Sequence, residues 1–164
     1  MTTNKMHVET GERELVITRI FDAPRELVFD AYSDCEHLKQ WWGPRQWPMA
    51  ECTLDFREGG VWHYCLRGPN EGDESWGKAV YREIVKPERI VYNDHFCDKD
   101  GNINEDMPQI LMTFEFAESE GKTKLTSRAQ YPTASDLKTV LDMGMVEGIT
   151  ETLDRLEEHL AAIQ

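Results

Sequence analysis

The sequence lacks any apolar run approaching the 18 residues of a membrane-spanning helix, so no membrane insertion is expected. The opening residues, Met1-Thr-Thr-Asn-Lys-Met-His7, hold no apolar stretch, so no secretory signal is expected either. Cysteine is scarce: Cys35, Cys52, Cys65 and Cys97 form no Cys-x-x-Cys pair, and no Asn-x-Ser/Thr sequon occurs. Free thiols in a cytoplasmic protein are the simplest expectation. Basic residues are also in deficit. Lys and Arg total 18 against 31 Asp and Glu, a formal net charge of −13. That balance argues against a nucleic-acid-binding face and against docking on an anionic membrane. No nucleophile elbow, phosphate-binding glycine loop, dinucleotide fingerprint or His-Glu-x-x-His helix is present, so no cofactor is expected.

What is present suits one globular domain. The chain has 164 residues, 40% hydrophobic and 10% aromatic. A chain of this size buries about 68–70% of its unfolded surface and needs neither disulfide nor metal to fold. Residues 1–12 read as a flexible polar tail and 13–164 as the domain.

Arg13–Phe21 is β-branched and partly alternating, which predicts a strand. Asp22-Ala-Pro24 then starts a helix through Tyr32, and Asp34 caps a short second one that ends at Gly43-Pro44. Six strands follow, near 46–56, 60–67, 75–85, 89–97, 109–117 and 122–131, separated by turn chemistry such as Glu58-Gly-Gly60 and Lys86-Pro-Glu88. Short connectors predict antiparallel pairing. Ser135 or Asp136 opens a long final helix to about Ala162, with Leu137, Leu141, Met145, Ile149, Leu153, Leu156 and Leu160 on one stripe. The order β-α-α-β-β-β-β-β-β-α predicts an α+β fold in which a curled antiparallel sheet wraps that helix. A curled sheet and a straight rod do not fit flush, so a cavity between them is expected, and such cavities bind small ligands.

Three motifs carry a resemblance. Trp41-Trp-Gly-Pro44, Leu54-Asp-Phe-Arg-Glu-Gly-Gly60 and Trp62-His-Tyr-Cys-Leu-Arg67 resemble the helix-grip, START-like superfamily, also called SRPBCC. Within it the likeness is to bacterial proteins related to the C-terminal domain of the activator of the ninety-kilodalton heat-shock chaperone ATPase. Tyr81-Arg-Glu-Ile-Val-Lys-Pro-Glu-Arg-Ile90 and Gly144–Leu156 extend it over residues 13–162. The resemblance implies the helix-grip fold, and either a hydrophobic-ligand cavity or a chaperone partner. Many relatives carry Trp where this chain has Ile149, a departure that reshapes the pocket.

Alternation places Trp62, Tyr64 and Leu66 on one strand face, with His63, Cys65 and Arg67 on the other. Arg67 marks the second face as outward. Lys78 and Arg82 likewise turn Tyr81 inward, and Met112 and Phe114 read as core or cavity. The expected ligand walls are therefore Trp62, Tyr64, Tyr81, Met112, Phe114, Met145, Gly148 and Ile149. Gly144 and Gly148 either thin the helix over a ligand, allow close packing or mark a kink.

His63-x-Cys65 and His95-x-Cys97 offer zinc-type donors, but an intervening strand puts them about 10 Å apart, too far for one ion. No metal site is expected. The run that starts at Asp98 has Ile103 and Gln109 at the sixth and twelfth positions, where a calcium loop needs Gly and Glu, and reads as a solvated turn. Asp55, Glu58, Glu83 and Asp94 are candidate acids or bases.

The leading expectation is a binding protein for a small apolar or aromatic molecule, serving sensing, sequestration or transport. The alternatives are a chaperone-associated module and a cyclase- or hydrolase-like enzyme using the same cavity. Catalytic residues, oligomeric state and ligand identity stay open.

Overall fold

The computed structural model describes residues 6–164. In chain order the elements are β1 (Met6–Thr10), β2 (Glu14–Phe21), α1 (Arg25–Asp30), α2 (Cys35–Trp41), β3 (Met49–Leu54), β4 (Val61–Arg67), β5 (Glu74–Val85), β6 (Arg89–Cys97), β7 (Ile110–Ser119), β8 (Lys122–Gln130), α3 (Ala134–Asp142) and α4 (Met145–Ala162). The strands form one antiparallel sheet in the order β1-β2-β8-β7-β6-β5-β4-β3. After β2 the chain leaves the sheet through α1 and α2, re-enters at the far edge and meanders back until β8 lies beside β2. The architecture is the expected α+β helix grip.

Period-two alternation decides which side of the sheet is covered. Leu15, Ile17, Arg19 and Phe21 of β2 are buried, as are Trp62 and Tyr64 of β4, Tyr81 of β5 and Phe114 and Phe116 of β7. The helices close this face. Val28 and Phe29 of α1, Leu38 and Trp41 of α2, and Leu153, Leu156 and Leu160 of α4 complete the core.

Three expectations need correction. The first five residues of the expected tail lie outside the described residues, but Met6–Thr10 is a strand paired with Leu15–Arg19, and Met6 and Val8 pack on the core. The final helix is two helices. Gly144 takes φ +85°, a left-handed conformation that ends α3, with its N–H on Leu141 O. A new ladder starts where Gly148 N–H reaches Gly144 O. Finally, Cys35 and Cys52 are joined in a disulfide, where free thiols were expected. Asp34 caps α2 by accepting the His37 N–H, which seats Cys35 in the first turn, 5.8 Å from the Cα of Cys52 on β3. Sequence spacing carries no sign of that approach. Cys65 and Cys97 are free.

Candidate functional site

Strand register assembles the interior face row by row. Trp62 of β4 stands opposite Ala79 of β5, Ala79 opposite Asp94 of β6, and Asp94 opposite Ile110 of β7. The next row up the sheet is Tyr64, Gly77 and Phe96, and the next row down contains Tyr81, Tyr92, Met112 and Ala129. Gly77 sits under the Tyr64 ring so closely that a Cβ there would lie 2.4 Å from Tyr64 Cζ. Only glycine leaves that ring room to lie on the strand.

The rings form one continuous network. Trp62 stacks on Tyr64 at 4.4 Å and meets Trp42 edge-on at 4.9 Å. Tyr92 touches Trp62 at 6.1 Å, Tyr81 at 5.7 Å and Phe114 at 5.7 Å. Phe114 in turn lies 5.0 Å from Tyr32. The Trp42 ring meets Tyr64 edge-on at 6.2 Å, and its indole N–H offsets a small part of the rise that burial imposes on the Tyr64 hydroxyl.

Polar atoms break this apolar surface. Asp94 Oδ1, Trp62 Nε1 and Tyr32 Oη are shielded from solvent and have no hydrogen-bond partner among the described residues. Most buried polar groups are paired, so three orphans on one aromatic face is an unusual concentration. Burial pushes the Asp94 carboxyl up to about 7, against a smaller opposing effect of the His95 backbone N–H. The Tyr64, Tyr81, Tyr92 and Tyr131 hydroxyls are raised first by burial and then by the Asp94 charge. A carboxyl that titrates near neutrality inside an apolar face accepts, donates or exchanges a proton.

Of the expected wall residues, Trp62, Tyr64, Tyr81 and Phe114 are gathered here, and half-buried Met112 stands opposite Tyr92. Half-buried Met145 takes the Tyr131 hydroxyl on its sulfur at 3.0 Å, and Ile149 packs on the core from α4. Gly148 faces another neighbour: a Cβ there would meet Pro44 Cγ at 3.5 Å, so it gives α4 room beside the loop after α2. Tyr92 and Tyr32 carry no mark as wall residues in the sequence, Trp42 stands out only through the Trp41-Trp-Gly-Pro44 motif, and Asp94 only as one of several generic carboxylates. The usable signal was Tyr92-x-Asp94-x-Phe96, which sets a carboxylate between two aromatics on one strand face.

The other polar groupings differ in kind. On the opposite sheet face, Lys78 stands between His63 and His95, and Trp76 between Cys65 and Cys97. No cluster of three metal-ligating side chains occurs among the described residues. The Asp98 carboxylate is engaged by the backbone of Asp100 and Asn102 and by the Asn102 amide, which closes its own turn. An open groove of about 700 Å³ lies over Glu14, Asn93, Leu111 and Gln130, the residues alternating with the interior set. A smaller one of about 440 Å³ holds His37 and His159, whose Nδ1 and Nε2 are 2.9 Å apart.

No protein of curated function matches the chain. Solved structures do. The Mycobacterium smegmatis protein Ms6760 is 30% identical, with 94% of this chain and 96% of that one covered at a TM-score of 0.86. A Staphylococcus epidermidis protein is 33% identical, with coverage of 97% and 96% and a TM-score of 0.82. An Arthrobacter aurescens protein is 25% identical, with coverage of 95% and 91% and a TM-score of 0.88. The family described as "Activator of Hsp90 ATPase homolog 1-like protein" matches residues 22–161. With that span added to the sheet order and the gripping helix, the chain belongs to the Hsp90 ATPase activator homolog 1-like family of the helix-grip fold.

Proposed function

We propose that this protein binds a small apolar or aromatic molecule in its interior, between α4 and the sheet. The carrying observation is the set of orphaned polar atoms on an aromatic face, Asp94 Oδ1, Trp62 Nε1 and Tyr32 Oη. Aromatic walls supply contact area, and a few convergent polar groups fix orientation, which is how small-molecule sites are built. The walls in this reading are Trp62, Tyr64, Tyr81, Met112 and Phe114 from the sheet, with Met145 and Ile149 from α4. Gly148 contributes by seating α4. Sensing, sequestration and transport are the uses such binding serves.

A catalytic reading of the same site has one observation in its favour, the Asp94 carboxyl near neutral pKa among tyrosines. The chaperone reading rests on the family's description alone.

The test is a thermal-shift screen against apolar metabolites, polycyclic aromatics and fatty acids. A ligand at 100 times its Kd adds about 2.7 kcal/mol. For a chain of this length that raises Tm by about 5–10 °C. A saturable rise that Phe114→Ala weakens supports the reading. No shift across the library contradicts it.

A further inference from the structure

Building on the interior site just proposed, we infer that its occupant is a neutral molecule anchored by a hydroxyl that accepts from Trp62 Nε1 and donates to Asp94 Oδ1. Both atoms lie in one row of the sheet, with Ala79 between them. A methyl side chain reaches neither. Two strand spacings separate the Trp62 and Asp94 backbones by about 10 Å. Side chains bridge part of that gap: the Trp62 ring lies 6.1 Å from the ring of Tyr92, the residue two before Asp94 on β6.

The chemistry of the two orphans selects the ligand group. An indole N–H only donates, whereas the Asp94 carboxyl accepts when ionised and also donates when protonated. An ammonium group has donors alone and leaves Trp62 Nε1 unpaired. A carboxylate or phosphate has acceptors alone and meets the Asp94 charge, inside a chain of net charge −13. Ethers and ketones lack the donor that the ionised carboxyl needs, whereas a hydroxyl serves either protonation state. It accepts and donates at one atom. Trp62 is 2% exposed and Tyr32 5% exposed, so the partner must arrive from the interior rather than from bulk water. The Tyr32 hydroxyl, reached past Phe114, offers a third contact to a ligand with a second polar end.

The experiment is isothermal titration with four naphthalene probes of one shape: 2-naphthol, 2-methoxynaphthalene, 2-methylnaphthalene and a naphthyl-trimethylammonium salt. Two hydrogen bonds at the site give 2-naphthol about a tenfold advantage or more over 2-methylnaphthalene. That advantage shrinks several-fold in Trp62→Phe, which keeps the ring and loses the N–H, and in Asp94→Leu. Trp62→Phe carries the comparison alone where Asp94→Leu does not fold. Equal binding of 2-naphthol and 2-methylnaphthalene overturns the hydroxyl anchor and leaves the interior site standing. Tightest binding of the ammonium salt overturns it in favour of a cation cage. Absence of saturable binding by all four overturns the anchor and the interior site together.

Discussion

Single residues already make the interior site testable. Asp94 titrates near 7 in the folded protein, well above its ordinary 3.8. Folding therefore favours its protonated form. Its cost is absent below about pH 4, grows as pH rises, and is complete above about pH 7. Asp94→Asn removes that cost. Urea denaturation of the ligand-free protein should show the variant gaining on wild type between pH 5 and pH 8. The gain should reach about 1–3 kcal/mol, with water at the outer side of the carboxyl holding it below the full value of the shift. A gap that does not change with pH would mean that Asp94 is ionised freely. Gly77→Ala is the steric counterpart. Its Cβ, 2.4 Å from Tyr64 Cζ, expels the ring from its place on β5. The Trp62–Tyr64 stack goes with it, at about 1–3 kcal/mol of overpacking. Tryptophan fluorescence together with denaturation checks this.

Secondary-structure elements depend on a few long-range ties, and these were the least legible part of the sequence. Arg155 on α4 donates to the carbonyls of Gln40, Trp42 and Gly43, which fastens the end of α2 beneath Trp42. Arg19 on β2 is 3% exposed and pairs with Asp154 and Glu157 of α4. The Cys35–Cys52 bond ties the start of α2 to β3. Closing a loop of that length stabilises by about 3 kcal/mol. Reduction should lower the urea midpoint accordingly, and thiol titration under denaturing, non-reducing conditions should count two free cysteines rather than four. Unchanged stability on reduction would contradict the tie. Periodicity revealed the strands and the helix stripe because burial of one face repeats every two or every 3.6 residues. It gave the inward set Trp62, Tyr64 and Tyr81 for the same reason. It did not reveal β1, whose short Met-His-Val-Glu-Thr run is only half buried at a sheet edge. Nor did it split α3 from α4, since the apolar stripe runs through Gly144 and only backbone geometry shows the break. Asp94 escaped because a carboxylate's environment depends on strands far away in sequence.

The whole molecule combines two opposing pH responses with one buried aromatic face. Burial, and then the neighbouring His37, hold the His159 ring below its usual 6.5. The unfolded chain takes that proton first as pH falls, so the α2–α4 joint loses stability below about pH 6.5. This is opposite in sign to Asp94. His159→Gln should flatten the acid side of the stability curve and leave the alkaline side alone. An acid limb unchanged in that variant would place the titration elsewhere. The central claim concerns the interior face, and five tryptophans make it directly readable. In a ¹H–¹⁵N spectrum each indole N–H gives one peak, and Trp62→Phe assigns the one that matters. Titrating 2-naphthol should move the Trp62 peak saturably, together with the amides of Ala79 and Asp94. Movement confined to half-buried Trp47 and Trp76, or no movement at all, would show that the interior face takes no ligand.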